Sequence, residues 1–371
     1  MQLGYAFRLY PTRGQQQALA RAFGCARVVY NDALRAREDA RGQGLPFPKA
    51  AELSAAMTAA KKTPERAWLG EVSAVVLQQS LRDLETAYRN FFDGLAGKRP
   101  RMGPPRFKSR KDNRQSVRFT ANARWSITPG GKLSLPKIGE VKVKWSRRLP
   151  SVPSTVTVVK DAAGRFFCSF VVETGAVPDP PDATAEVGID LGLEHFAVLS
   201  DGRKITSPRF LRRAQNKLRK AQKDLSRKQK GSSNKGKARV KVARAHAQVA
   251  DARREFHHHL STTLVRDNQA LYVEDLCVKG LARTRLATSV HDAGWSAFTA
   301  MLEYKATRYG RTFARVDRRF PSSQICSGCG RRDGPKPLHV RAWVCGGCGA
   351  GHDRDVNAAR NILDQGRRIT T

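Results

Sequence analysis

Two groups of residues in this chain could do chemistry. The first is a set of four cysteines in two C-x2-C pairs, Cys326/Cys329 and Cys345/Cys348, with fifteen residues between the pairs. Four thiolates at that spacing can close a tetrahedral site around Zn2+, in the window of a zinc ribbon. Each pair runs into a glycine, Gly330 and Gly349, which lets the backbone turn tightly around a metal. Four cysteines leave no open coordination position, so the expected zinc is structural. The second group is three carboxylates, each at the end of an expected element. Asp190 (EVGIDLG) and Glu274 (LYVED) close strands, and Asp355 (DRDVNAARNI) opens a helix. A cluster of hard oxygen ligands suits Mg2+ or Mn2+. Two such ions about 4 Å apart can activate water and stabilise the leaving oxygen in phosphodiester hydrolysis. Taken singly, Asp190 could be a turn-former and Asp355 a helix N-cap. Glu274 follows Leu-Tyr-Val and is costly to bury without a partner. Asp275 and Asp353 are adjacent acids that could exchange roles with Glu274 and Asp355. Asp355 is preferred because it directly precedes the V-N-A-A helix start.

The elements that must position these residues follow from periodicity. Gly4–Tyr10 alternates as a strand, and Thr12 with Gln15 forms a capping box for a helix carrying Leu19, Phe23, Val29, Tyr30 and Leu34. Helices over about 50–62 and 72–95 complete a bundle, with Val76, Leu77, Leu81, Leu84, Tyr88 and Phe91 on one side of the last. Short alternating segments between Ser116 and Glu173 predict a small β-barrel that the first strand joins. A Pro-rich stretch around 176–184 reads as a linker. Beyond it come three strands in a meander (185–191, 196–200, 203–206), two long basic helices (208–230 and 235–267), a strand (271–275), a helix (295–309), a strand (312–316), the cysteines, and a last helix (355–364). That is the order of a ribonuclease-H-like fold, whose first and fourth strands are neighbours. The expected fold is therefore α+β and multidomain. It has an N-terminal β-barrel (1–10 and 97–175) with an inserted helical bundle (11–96), then a ribonuclease-H-like domain (185–320 and 350–371) with an inserted zinc ribbon (321–349).

The formal net charge of the 371-residue chain is +36. Residues 97–148 hold 16 Lys and Arg against 2 acids, and residues 203–254 hold 19 against 2. Surfaces that only need solubility interleave both signs, so a polyanionic partner is expected. Without an apolar signal core or a run of 18 apolar residues, the chain reads as soluble and intracellular, with no membrane partner. Cys25, Cys168 and Cys277 sit in apolar contexts and read as buried free thiols in a reducing compartment. His257, His258 and His259 are consecutive, cannot share one helix face, and read as helix surface rather than a metal cluster.

Several stretches, in order and over nearly the whole length, resemble one family. They are YPT (Tyr10–Thr12), LETAYRNFF (Leu84–Phe92), PRFKSRK (Pro105–Lys111), GIDLG (Gly188–Gly192), LYVEDL (Leu271–Leu276), FPSSQICSGCG (Phe320–Gly330) and DRDVNAARNI (Asp353–Ile362). The family is TnpB, the OrfB-type RNA-guided DNA nucleases of bacterial insertion sequences, related to type V CRISPR effectors. The resemblance implies a RuvC-like nuclease with Asp190, Glu274 and Asp355 as an acidic triad binding magnesium. It implies a barrel ("wedge") domain with a helical recognition insertion, and a guide RNA from the element's own end. It further implies a double-stranded DNA target cut beside a short motif, one chain per RNA, and a cytoplasmic, nucleoid-associated location. Two other functions compete: a guided binder that does not cleave, and an unguided RuvC-like nuclease or transposase. The complete acid trio argues against the first, and the large charge outside the nuclease half against the second.

Overall fold

Strand β1 (Gln2–Tyr10) is the spine of the first unit, because it pairs antiparallel with strands from far along the chain on both sides. In this computed structural model, which describes residues 2–112, 114–175, 183–337 and 339–370, the chain divides into two compact units, Met1–Gly175 and Ala176–Thr371. The expected linker falls at this division, and its residues 176–182 lie outside the described residues.

After β1, Pro11 ends the strand and Thr12 caps helix α1 (Arg13–Gly42). Thr12 Oγ1 accepts from the Gln15 N–H at 3.4 Å, and Gln15 Oε1 accepts from the Thr12 N–H at 3.0 Å, the expected capping box. Helices α2 (Ala50–Ala60) and α3 (Ala74–Leu95) complete the inserted bundle. The remaining strands are β2 (Gln115–Thr120), β3 (Ser126–Ile127), β4 (Lys132–Leu135), β5 (Gly139–Lys144), β6 (Thr155–Lys160) and β7 (Phe166–Glu173), in the sheet order β2-β6-β7-β1-β5-β4-β3. The expected barrel is thus a half-barrel with β2 and β3 as its edges. Its inward residues, among them Phe7, Leu9, Val141, Cys168 and Phe170, share one core with Leu19, Phe23, Leu77 and Leu84 of the helices. Helices α1 and α3 pack against β2, so the bundle covers apolar surface that barrel closure would otherwise bury. The apolar side of α3 is buried only over its first three turns. Tyr88 and Phe91 are half-buried, and Phe92 is exposed.

In the second unit β8 (Glu186–Asp190), β9 (His195–Leu199) and β10 (Lys204–Thr206) form the expected meander. Helices α4 (Phe210–Ser226) and α5 (Ser233–Asp267) pack on each other before β11 (Ala270–Glu274). Two short helices that the periodicity does not show, α6 (Val278–Leu281) and α7 (Ala287–Ala293), precede α8 (Trp295–Arg308) and β12 (Thr312–Val316). The sheet order is β10-β9-β8-β11-β12, with β8, β11 and β12 parallel. The strand hairpin β13 (Ala342–Val344) and β14 (Gly351–Asp353) belongs to the cysteine segment, and α9 (Arg354–Thr370) ends the chain. Strand period two separates the faces. Val187, Ile189, Leu271 and Val273 join Leu264, Phe298 and Leu302 on the α5/α8 side. Ala270 and Tyr272 join Ile362 of α9 on the other.

Two further sequence expectations are corrected. Cys25 and Cys168 are buried, and burial pushes their thiols up to about 11 and about 12, but Cys277 is exposed. His258 and His259 lie on the helix surface, whereas His257 is buried among Phe196, Phe256 and Phe298. Its Nε2 lies 2.9 Å from the Ala293 carbonyl of α7, and burial pushes its pKa down to about 4. Among the described residues no helix is long and apolar enough to cross a membrane.

Helix α9 lies on the sheet at backbone contact. A Cβ on Gly188 would stand 2.0 Å from the Ala359 carbonyl oxygen and 2.6 Å from the Leu363 nitrogen. A Cβ on Gly366 would stand 2.2 Å from the Tyr272 ring. Gly188→Ala cannot be relieved by a side-chain rotation, and should cost about 3 kcal/mol or more in chemical denaturation. Gly4→Ala, which meets only Ser169 Oγ at 3.7 Å, should cost under about 1 kcal/mol. Equal effects of the two would contradict this packing.

Candidate functional site

The register pairs Val273 with Ile189 on parallel strands, and the next residue on each is a carboxylate, Glu274 and Asp190. Asp190 shares its strand face with Gly188, and Glu274 shares its face with Tyr272. Both therefore stand on the side covered by α9. Asp355 lies in the first turn of that helix. All three line one cavity of about 360 Å³. Its walls also carry Arg318, Arg319, Arg332, Arg341 and Arg354. Five arginines thus rim three carboxylates, two of them, Arg318 and Arg341, also paired with Asp275 and Glu194 outside the trio.

The neighbouring acids are otherwise engaged. Asp353 is the N-cap of α9: its Oδ1 accepts from the Val356 and Asp355 N–H groups at 3.0 and 3.2 Å, and its Oδ2 pairs with Lys204 Nζ at 2.6 Å. The lysine and the helix amides hold its pKa below the usual range against the cost of burial. Asp275 pairs with Arg318. The expected Asp190, Glu274 and Asp355 are the ones brought together. Burial pushes Asp190 up to about 7, helped by the charges of Glu274 and Asp355 and opposed by Arg354 and Arg341. Burial, then Asp275, raises Glu274.

The four cysteines converge as expected, all sulfurs lying within 4.8 Å of one another. Sulfurs about 2.3 Å from a tetrahedral zinc stand about 3.8 Å apart. The Cys326–Cys348 and Cys329–Cys345 separations are 3.7 and 3.8 Å, so the donor set fits zinc. Backbone N–H groups of Cys348 and Gly347 pull Cys345 down to about 7. The knuckle is tied to α9 by two buried asparagines. Asn357 Oδ1 accepts from the Ser327 N–H at 2.8 Å, and its Nδ2 donates to the Ile325 carbonyl at 2.7 Å. Asn361 Nδ2 donates to the Ser322 and Ile325 carbonyls, both at 2.7 Å. Sequence reading missed these two, although both lie in the V-N-A-A-R-N stretch on one helix face at i and i+4. It also missed Arg341 of the ribbon, which pairs with Glu194 at 2.7 Å and with Asp355 at 3.4 Å.

Two measurements check this geometry. Zinc content should fall from about one per chain to near zero in Cys329→Ser and stay full in Cys277→Ser. The second is a pH profile of stability without added divalent cation. The unfolded Asp190 side chain loses its proton near its ordinary pKa and the folded one near 7, so folding loses stability as pH rises between them. Asp190→Asn should therefore be more stable than the parent at pH 8, by about 4 kcal/mol at most, and equal to it at pH 4. A gain at pH 4 of the same size would contradict the assignment.

The chain is similar to known proteins along nearly its whole length. A family model described as "Probable transposase" (OrfB_IS605) matches residues 169–285, and one described as "Cas12f1-like, TNB domain" matches residues 295–362. A third, "Helix-turn-helix domain", matches residues 1–45, which here form β1 and the single long helix α1. A "Putative RNA-guided DNA endonuclease" of Streptomyces pristinaespiralis is 49% identical over 98% of this chain and 89% of its own length. "Putative RNA-guided DNA endonuclease InsQ" of Escherichia coli K12 is 29% identical over 98% of this chain and 92% of its own. Among solved structures, the Cas12f1–sgRNA–target DNA complex superposes with a TM-score of 0.56 at 14% identity, covering 93% of this chain and 82% of that one, a likeness of fold. With a relative this similar over nearly its whole length, and with the quoted motifs in order, the chain belongs to the TnpB family of OrfB-type, RNA-guided endonucleases of insertion sequences.

Proposed function

We propose that this chain, loaded with a guide RNA from its element's end, cuts double-stranded DNA beside a short fixed motif, at the cavity of Asp190, Glu274 and Asp355. The observation that carries the reading is the convergence of these three carboxylates, from segments far apart in sequence, inside a rim of arginines. Hard oxygen donors in a cluster fit Mg2+ or Mn2+, and ions bound there supply Lewis acidity to the attacking water and the leaving oxygen. The protein's own groups do the rest. Asp190, Glu274 and Asp355 would hold the cations as carboxylates, and a bound cation would offset the burial that raises Asp190 and Glu274. Arg341 and Arg354 draw in the phosphodiester and fix its orientation. The zinc ribbon, through Asn357 and Asn361, sets where α9 begins and so where Asp355 stands.

Sequence specificity would come from base pairing between guide and target, with the protein reading backbone shape. The acid-poor stretches 97–148 and 203–254 suit that role, since lysines and arginines on phosphates position a strand without reading it. In this reading β1 and residues 97–175 are the wedge domain, residues 11–96 the recognition insertion, and one chain serves one RNA.

The test is reconstitution. The protein is purified with RNA co-expressed from its element's end, the bound RNA is sequenced, and a plasmid with matched target and motif is added with Mg2+. Specific recovery of the end-encoded RNA and linearised plasmid are expected, with Asp190→Ala slower by at least about 1,000-fold. Recovery of only random cellular RNA would remove the guided model. Cutting by Asp190→Ala at the parent rate would remove the acid assignment, and tight binding with no cutting by either protein would leave a guided binder.

A further inference from the structure

His352 belongs neither to the four cysteines nor to the acid cavity, yet it is only 9% exposed. The ribbon hairpin explains its place. Trp343 on β13 stands directly across from His352 on β14, and Cys345 lies two residues beyond Trp343, on the same side of the strand. The Trp343 and His352 rings are 4.7 Å apart and tilted by 38°. Lys336 Nζ lies over the Trp343 ring at 3.6 Å. Packing against the indole holds the imidazole with its Nε2 at 3.0 Å from Sγ of Cys326, a cysteine with no exposed surface.

That contact suits a hydrogen bond to a metal ligand rather than a fifth ligand. The four sulfurs lie within 4.8 Å of one another, and His352 is not part of the group. Nitrogen and sulfur ligands of one tetrahedral zinc would stand about 3.6 Å apart, farther than the separation here. A zinc with four thiolates carries two negative charges in excess, and charge buried in a protein interior needs hydrogen-bond donors. At the second knuckle the backbone supplies one: the Gly347 N–H donates to Cys345 Sγ at 3.3 Å. At Cys326 the neighbour is a side chain. A thiolate has lone pairs and no proton, so the imidazole nitrogen facing it must carry the N–H.

The next residue gives the contact its consequence. Asp353 caps α9 and pairs with Lys204, on the other face of β14 from His352. We propose that His352 is a positioning residue for the metal. Its Nε2–H hydrogen-bonds the Cys326 thiolate, slows the loss of zinc, and ties the ion through one peptide unit to the cap of α9. The inference rests on zinc among the four cysteines and not on cleavage of nucleic acid.

The test uses the full chain purified with zinc and follows zinc release to an excess of a colorimetric chelator. His352→Phe keeps a ring against Trp343 and removes the donor, and should release zinc about 10- to 100-fold faster than the parent. His352→Gln, whose Nε2–H can replace that of the imidazole, should return most of the way to the parent rate. Cobalt in place of zinc reports the ligands, and its four-thiolate absorption should be the same in the parent and both variants. Exchange of the Asp355 and Val356 amides, which bond to Asp353, should quicken in His352→Phe and not in His352→Gln. Release from His352→Phe at the parent rate overturns the proposal. So does His352→Gln as fast as His352→Phe, since packing rather than the donor would then hold the metal. A cobalt spectrum that changes in the variants makes His352 a ligand and overturns it too. Parent protein without zinc would remove the metal reading itself, and this inference with it. If His352→Phe fails to fold, His352→Gln decides: release within about twofold of the parent supports the proposal, and release 10-fold or more faster overturns it.

Discussion

The second unit depends on how closely one helix can lie on a sheet. Helix α9 reaches backbone contact with β8 only because position 188 has no side chain, and it clears Tyr272 only because position 366 has none. That approach brings the first turn of α9, and Asp355 with it, over the ends of two parallel strands that carry Asp190 and Glu274. Packed interiors do not yield by a fraction of an ångström without cost, so distance is set here by glycine rather than by the carboxylates themselves. Burial, and after it the charges of Glu274 and Asp355, pushes Asp190 up to about 7. Packing elsewhere must hold them together.

The cysteine ribbon is part of that packing. A helix start is ordinarily the most easily frayed part of a helix, with unpaired amides and few neighbours. Here it is fixed from three sides. Asp353 caps it and is tethered to Lys204 of β10, while Asn357 and Asn361 bind carbonyls beside the first cysteine knuckle. Arg341, carried by the ribbon, meets Asp355 directly. A zinc held by the four cysteines would act at a distance: by ordering the knuckle it would order the carbonyls that the asparagines bind. Buried amides without those carbonyls would each cost about 1–3 kcal/mol, enough to loosen the helix start.

Much of the site was legible in the sequence because its signals are local or follow element ends. The cysteine spacing identifies the ribbon without any tertiary knowledge, and the strand–strand–strand–helix order places Asp190 beside Glu274. Asp353 and Asp355 both sit at a helix start, and their spacing alone does not separate them. Only capping geometry separates the acid that binds backbone amides from the one that faces the cavity. Asn357 and Asn361 were invisible because their partners are carbonyls thirty-odd residues away, which leave no mark on side-chain type. His257 was misread because consecutive histidines look like surface, while helix period turns one of the three inward against α7. The half-barrel was read as closed because strand spacing reports strands, not whether a helix covers the last edge.

The central claim is that Asp190, Glu274 and Asp355 share divalent cations at a place fixed by α9. Its most direct test is anomalous scattering from crystals of the protein soaked in Mn2+. The account predicts two manganese peaks about 4 Å apart between these three carboxylates, and a separate zinc peak among Cys326, Cys329, Cys345 and Cys348. Manganese on Asp275 or Asp353 in their place, or no peak at the three carboxylates in crystals that diffract with the zinc present, would contradict it.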